Sequence, residues 1–231
     1  MSVAARKLFL LHLVVNALLL WLGYEWLGVG ESTRLRLVWS ALDALAILAL
    51  VCWFHGATLV FFHAGADPKI NDSFRTALRH VPALLLAAIL VLALYGLLAW
   101  AAGASGQPAF QLASWLTLKL RSPVKPASVA RIFLGGFWIL RWAVLPVALI
   151  PLASGIAVRG WRGFGEFRWH GGWGQWLMVP VLLAAGLLLP FAVLAWVPAV
   201  SGFTMEMVSF AVRMLVAYLL FVSAIWMVER R

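Results

Sequence analysis

An all-α fold, a polytopic transmembrane bundle of about six helices, is predicted by three observations. Of the 231 residues, 65% are hydrophobic and only 11% charged. The apolar residues gather into six runs, and tryptophans and basic residues mark the ends of those runs. A soluble chain of this length cannot hide so much apolar surface, because the share of surface buried is limited by surface-to-volume geometry. A bilayer core of roughly 30 Å instead accepts runs of about 20 apolar residues as helices.

The runs are Leu8 to Leu27, Leu37 to Phe62, Val81 to Ala102, Ser128 to Ala157, Trp176 to Val197 and Met207 to Val228. The first follows Arg6-Lys7 as a signal peptide would, but Gly23-Tyr24-Glu25-Trp26 offers no small-x-small cleavage site, so an uncleaved signal anchor is predicted. The second and fourth are long enough to cross with tilt. Between the second and third, Asp67-Pro68 predicts a turn, and Asp72 or Ser73 is placed to cap the helix that follows. Hydrocarbon leaves no partner for free backbone amides, so every run must be helical despite Pro146, Pro151, Pro180 and Pro190, where kinks are predicted. So little chain remains outside the runs that residues 1–231 form a single membrane domain.

Two connections are not simple turns. In Gln107 to Pro126 the alternation of Phe110, Leu112, Leu116, Leu118 and Leu120 suits a strand, whereas Leu112, Trp115 and Leu116 suit a helix face. A short interfacial helix over 107–126 is preferred, since a lone strand at a membrane leaves its edges unpaired. Lys119, Arg121 and Lys125 then become candidate headgroup contacts. The connection Arg159 to Gln175 is rich in glycine, arginine and aromatics. RNA-binding segments share that composition, but a loop tethered at both ends to membrane helices favours aromatic wedging at the interface. There Arg162 and Arg168 meet anionic lipid.

The net charge of +10 lies beside the apolar runs, which reads as orientation and headgroup contact rather than nucleic-acid binding. Arg6, Lys7, Lys69, Arg75, Arg79, Arg159, Arg162, Arg168, Arg230 and Arg231 outnumber Arg34, Arg36, Lys119, Arg121, Lys125 and Arg131 on the other side. Both termini are therefore predicted to be cytoplasmic. Trp21, Trp26, Trp39, Trp100, Trp176, Trp196 and Trp226 fall at run ends, where indole suits the headgroup level. Leu86 to Trp100 and Leu182 to Trp196 echo one another, as in a parallel repeat of helical hairpins.

Ionisable residues inside hydrocarbon are the default places to look for function. Asp43, Arg141 and Arg213 fall in one half of the bilayer, so that Asp43 can pair with either arginine. The arginine left over, unless Glu206 or backbone carbonyls take it, is then available to a lipid phosphate; the alternative is a structural polar clamp between helices, with Arg213 snorkelling to the interface. Cys52 and His55 share a helix face, with His63 two turns on, but a lone Cys-x-x-His does not make a metal site unless His12 converges from another helix. No metal or cofactor is predicted. The single cysteine allows no intrachain disulfide. No G-x-S-x-G, H-E-x-x-H or phosphate-binding loop is present, and eight acidic residues serve the whole chain, so no enzyme is predicted.

The segment Ser73-Phe74-Arg75-x-Ala77-Leu78-Arg79, leading into a Leu/Ala span within a six-helix chain, resembles bacterial membrane proteins related to the membrane domain of glycerophosphodiester phosphodiesterases. The resemblance implies a helical bundle of the bacterial inner membrane, near envelope or lipid metabolism. No phosphodiesterase domain is attached, so that family's catalytic residues have no positions here. The expectation is a non-enzymatic protein of envelope maintenance acting through anionic lipids or a membrane-protein partner. The rivals are a small transporter or channel and a lipid-modifying enzyme.

Overall fold

A computed structural model describes residues 2–30, 32–64, 69–165, 173–199 and 201–230. It is 89% helical, without a strand among the described residues, and six of its helical stretches are long and apolar enough to cross a membrane. In chain order the helices are α1 (Val3–Leu27), α2 (Arg34–His63), α3 (Ile70–Gly103), α4 (Gly106–Leu120), α5 (Pro126–Ile139), α6 (Leu145–Arg159), α7 (Trp173–Ala195) and α8 (Phe203–Glu229). A π-helical turn, Leu140–Val144, joins α5 to α6 as one rod, and a 3-10 turn, Gly160–Phe164, follows α6. The chain is a multi-pass membrane bundle.

Most helices begin before their apolar runs do. Ser2 caps α1 by accepting from the Ala5 N–H at 3.2 Å, and Thr33 caps α2 by accepting from Arg36 at 3.3 Å. Helix α3 starts at Ile70, so Asp72 and Ser73 lie inside its first turn rather than before it. Ser73 is no cap: its hydroxyl donates back to the Lys69 carbonyl at 3.0 Å, while Asp72 complements the positive helix end. The Asp67-Pro68 turn lies outside the described residues.

Packing places α2 at the centre, against α1, α3, α6 and α8. One buried cluster joins Leu59 and Val60 of α2 to Ala83, Leu84 and Ala87 of α3 and to Ile156 and Ala157 of α6. A second joins Ala5 and Leu8 of α1, Phe61 of α2 and Trp226 of α8. Helix α3 packs chiefly on α2, whereas α7 packs chiefly on α8. The sequence echo between α3 and α7 therefore does not extend to equivalent hairpins.

The α7–α8 contact is close enough to be tested. A methyl group on Gly186 would come within 2.6 Å of the Ala224 side chain, so the two helices would have to separate. Gly186→Ala is expected to cost about 1–3 kcal/mol, as overpacking does, read as a lower thermal midpoint in detergent. Gly23→Ala, with open space around it, is the control and should not lower the midpoint.

Residues 106–120 are a helix, as expected. Ala109 and Ala113 pack on Val129 of α5, while Phe110, Trp115, Leu118 and Leu120 stay exposed. The α5–α6 rod holds the irregularity that Pro146 foretold. Proline has no N–H to continue the helical ladder, and the widened turn at Leu140–Val144 lies just before it.

Candidate functional site

Three helices meet around a buried polar cluster at the end of the bundle that carries both chain termini. On α1, Ala5, Leu8, His12, Asn16 and Leu19 form the buried stripe, spaced as a helix face demands. On α8 the buried stripe includes Val222, Trp226 and Glu229. Helix α2 contributes His55 and Thr58 between them. At about 1.5 Å per residue, His12 lies on the order of 14 Å from the start of α1 and His55 about 12 Å from the end of α2. Glu229, by contrast, is the last residue of α8. The ends of α1 and α2 thus overhang the cluster, and Ala5, Leu8, Phe61 and Trp226 close it from above.

The cluster is nearly sealed. His12 is 0% exposed and Glu229 7%, while the His55 side chain keeps 21%. His12 is walled by rings: Phe54 at 4.7 Å between centroids, Trp226 at 5.1 Å and His55 at 5.7 Å. Trp226 was expected at the headgroup level but is buried as one of these walls, edge-on to Phe9 and Phe62. The difference arises because α1 and α2 continue past it. Trp21, Trp39, Trp100 and Trp196 are exposed on the bundle surface, as anchors require.

Hydrogen bonds orient the His12 ring. Asn16 Nδ2 donates to the His12 carbonyl at 2.9 Å, which fixes its amide, and lies 3.3 Å from His12 Nδ1. Nδ1 is therefore the acceptor and Nε2 carries the hydrogen. That Nε2–H faces Thr58 Oγ1 at 2.9 Å, and the Thr58 hydroxyl spends its own hydrogen on the Phe54 carbonyl at 3.2 Å. Glu229 divides its carboxylate between the two imidazoles: Oε1 meets Nδ1 of His55, and Oε2 lies 3.3 Å from Nε2 of His12. Oε2 is buried yet has no hydrogen-bond partner. A carboxylate at a helix C-terminus adds to the negative end of the helix dipole, so the cluster is a place for positive charge.

The predicted group of Asp43, Arg141 and Arg213 is arranged otherwise. Among the described residues no ion pair joins Asp43 to either arginine; Asp43 is half-buried on α2. Arg213 of α8 turns to the open end of α7, donating from Nη1 to the Leu194 carbonyl at 2.7 Å and the Trp196 carbonyl at 3.0 Å. These carbonyls lack helical partners, so Arg213 caps α7. Arg141 sits in the π turn, where Tyr95 donates to its carbonyl at 2.8 Å. Its Nε is buried, and no hydrogen bond or ion pair reaches its guanidinium among the described residues. Trp142 of the same turn and Trp138 at the end of α5 line an apolar groove of about 250 Å³, completed by Pro180, Leu183, Ala184, Leu187 and Phe191 of α7.

Lys119, Arg121 and Lys125 are exposed around the α4–α5 junction, and Arg162 is exposed after α6, at the opposite end of the rod. Arg168 lies outside the described residues, as do Phe167 and Trp169. Cys52 packs toward the α3–α6 cluster, and His63 is exposed with Nδ1 donating to the Leu59 carbonyl at 2.8 Å. Neither joins His55. His12 does converge from another helix, and the third member, Glu229, falls one residue beyond the predicted last span and so escaped notice. Its spacing of three from Trp226 and seven from Val222 was the available signal. Comparison with protein-family models, curated proteins and solved structures finds no match to the chain.

Proposed function

We propose that this chain is a multi-pass protein of the bacterial cytoplasmic membrane, with both termini inside, that holds an anionic lipid without a catalytic step. The observation that carries the reading is Arg141, whose buried guanidinium nitrogen lacks a partner on the turn that walls an apolar groove. A lone cation in hydrocarbon is costly, and a lipid phosphate offsets that cost with charge-assisted hydrogen bonds. The adjoining groove faces α7 with apolar and aromatic side chains only, which suits an acyl chain.

The flanking charges agree with a lipid role. At about 1.5 Å per residue the rod from Pro126 to Arg159 is on the order of 50 Å long, well beyond the hydrocarbon core. Lys119, Arg121 and Lys125 at one end and Arg162 at the other therefore reach the two headgroup layers, where Lys and Arg attract anionic lipid. The resemblance to the membrane domain of glycerophosphodiester phosphodiesterases accords with a place in envelope maintenance.

The test is retention of phosphatidylglycerol against phosphatidylethanolamine by the purified protein, read by native mass spectrometry. Arg141→Gln is expected to reduce phosphatidylglycerol retention about tenfold or more, the worth of one hydrogen-bonded charge, and phosphatidylethanolamine retention less, because the ammonium of that headgroup already offsets its phosphate. Ala184→Trp, which fills the groove, is expected to reduce both. Equal retention of phosphatidylglycerol by wild type and Arg141→Gln would remove the reading.

A further inference from the structure

We propose that His12, His55 and Glu229 form a binding site for one divalent first-row transition-metal ion, Zn2+ or Fe2+, that ties the first two helices of the bundle to the last. The donor atoms of the three residues all lie within 4.8 Å of one another. Two imidazoles and one carboxylate are the donor set that such ions take, with positions left for water or a further oxygen. The residues come from α1, α2 and α8, so their convergence is a property of the tertiary fold and not of a local sequence spacing.

Three further features favour an ion over a hydrogen-bonded clamp. The carboxylate offers one oxygen to each imidazole, yet Oε2 of Glu229 is buried without a hydrogen-bond partner, an acceptor left open toward the centre of the cluster. The helix C-terminus beneath it adds negative potential where the cation would sit. Thr58 Oγ1, 2.9 Å from His12 Nε2, places a neutral oxygen beside one of the donor atoms. A clamp built only of hydrogen bonds would satisfy its buried acceptors, because an unmade buried hydrogen bond is costly.

Binding needs no redox or covalent step. The ion takes the electron pair on His12 Nε2, and the ring hydrogen moves from Nε2 to Nδ1 by exchange. Asn16, already beside Nδ1, accepts that hydrogen through Oδ1 only by turning its amide and giving up its bond to the His12 carbonyl, a loss that ligation offsets; the oxygen then gives the support that metal-bound histidines commonly have. His55 binds through Nδ1 and keeps its hydrogen on Nε2. The partial exposure of His55 marks the route by which the ion arrives.

The experiment uses the full chain in detergent, stripped with chelator, reloaded with Zn2+ or, without oxygen, Fe2+, and desalted before elemental analysis. Wild type is expected to retain about one ion per chain, as a three-ligand site does. Glu229→Gln and His55→Gln are expected to retain a small fraction of that, while His63→Gln, whose ring lies outside the cluster, retains it in full. Should the substituted chains fail to fold, the wild type alone decides, because binding to the folded state raises its thermal midpoint with ion concentration. Wild type that retains neither ion and shows no such rise would overturn the proposal. So would folded Glu229→Gln and His55→Gln chains that retain as much metal as wild type.

Discussion

Glu229→Ala in metal-free protein is expected to lower the free energy of unfolding in detergent by about 3 kcal/mol, the cost of removing one partner from a buried hydrogen-bonded cluster. Glu229 is the only acidic residue at the junction of α1, α2 and α8 among the described residues, and both of its oxygens face imidazoles. His12 is enclosed by Phe54, Trp226 and Thr58, so water does not replace the lost contact without opening the apolar cap. Replacing His12, His55 and Glu229 together by leucine is expected to cost less than Glu229→Ala alone, because no polar group is then stranded. That non-additivity separates a coupled cluster from three independent residues. Helicity followed through denaturant unfolding measures it, and a Glu229→Ala chain as stable as wild type would refute the coupling.

Why the cluster was hard to read from the chain follows from the kind of information each residue carries. Leucine-rich runs declare themselves, because hydrocarbon demands helices and the runs have the right length. All six spans and the helical nature of residues 106–120 follow from that demand. Polar residues carry no such local signature. Arg213 looked like a partner for Asp43 by depth, but depth says nothing of azimuth. The side chain is taken instead by the carbonyls that α7 frees where it ends at Ala195. Glu229 looked like a residue beyond the membrane because the apolar run stops at Val228. In the fold, the overhang of α1 and α2 extends the buried region past the end of α8. Cys52 and His55 share a face by spacing, yet α2 is central and contacts different neighbours on different sides, which sends them to separate clusters. Span boundaries are local quantities, whereas sites in a bundle depend on helix rotation, and rotation is fixed by packing among all the helices.

Gly163→Ala is expected to be the most damaging single methyl among the described residues of the connection after α6. A Cβ at this position would lie 2.5 Å from the Gly155 carbonyl carbon and oxygen and from the Ile156 nitrogen. All three are backbone atoms of α6, so no side chain can swing aside. The neighbourhood is equally unyielding: Gly160 holds a positive φ of 60°, a Cβ there would sit 2.8 Å from the His80 ring, and His80 Nδ1 donates to the Ala157 carbonyl at 2.8 Å. The 3-10 turn is thus folded back onto α6 and held beside α3, whose Ala83, Leu84 and Ala87 pack on Ile156 and Ala157 in the central cluster. Adding the methyl forces the turn off α6 and disturbs that cluster, with a cost of about 3 kcal/mol, the upper part of the usual overpacking range. Gly165→Ala, whose nearest neighbour would be 3.9 Å away, is the matched control and should leave the thermal midpoint unchanged. Equal midpoints for Gly163→Ala and Gly165→Ala would mean that the turn does not rest on α6. A lowered midpoint for Gly163→Ala alone would establish that the turn is held on α6 by close approach of backbones.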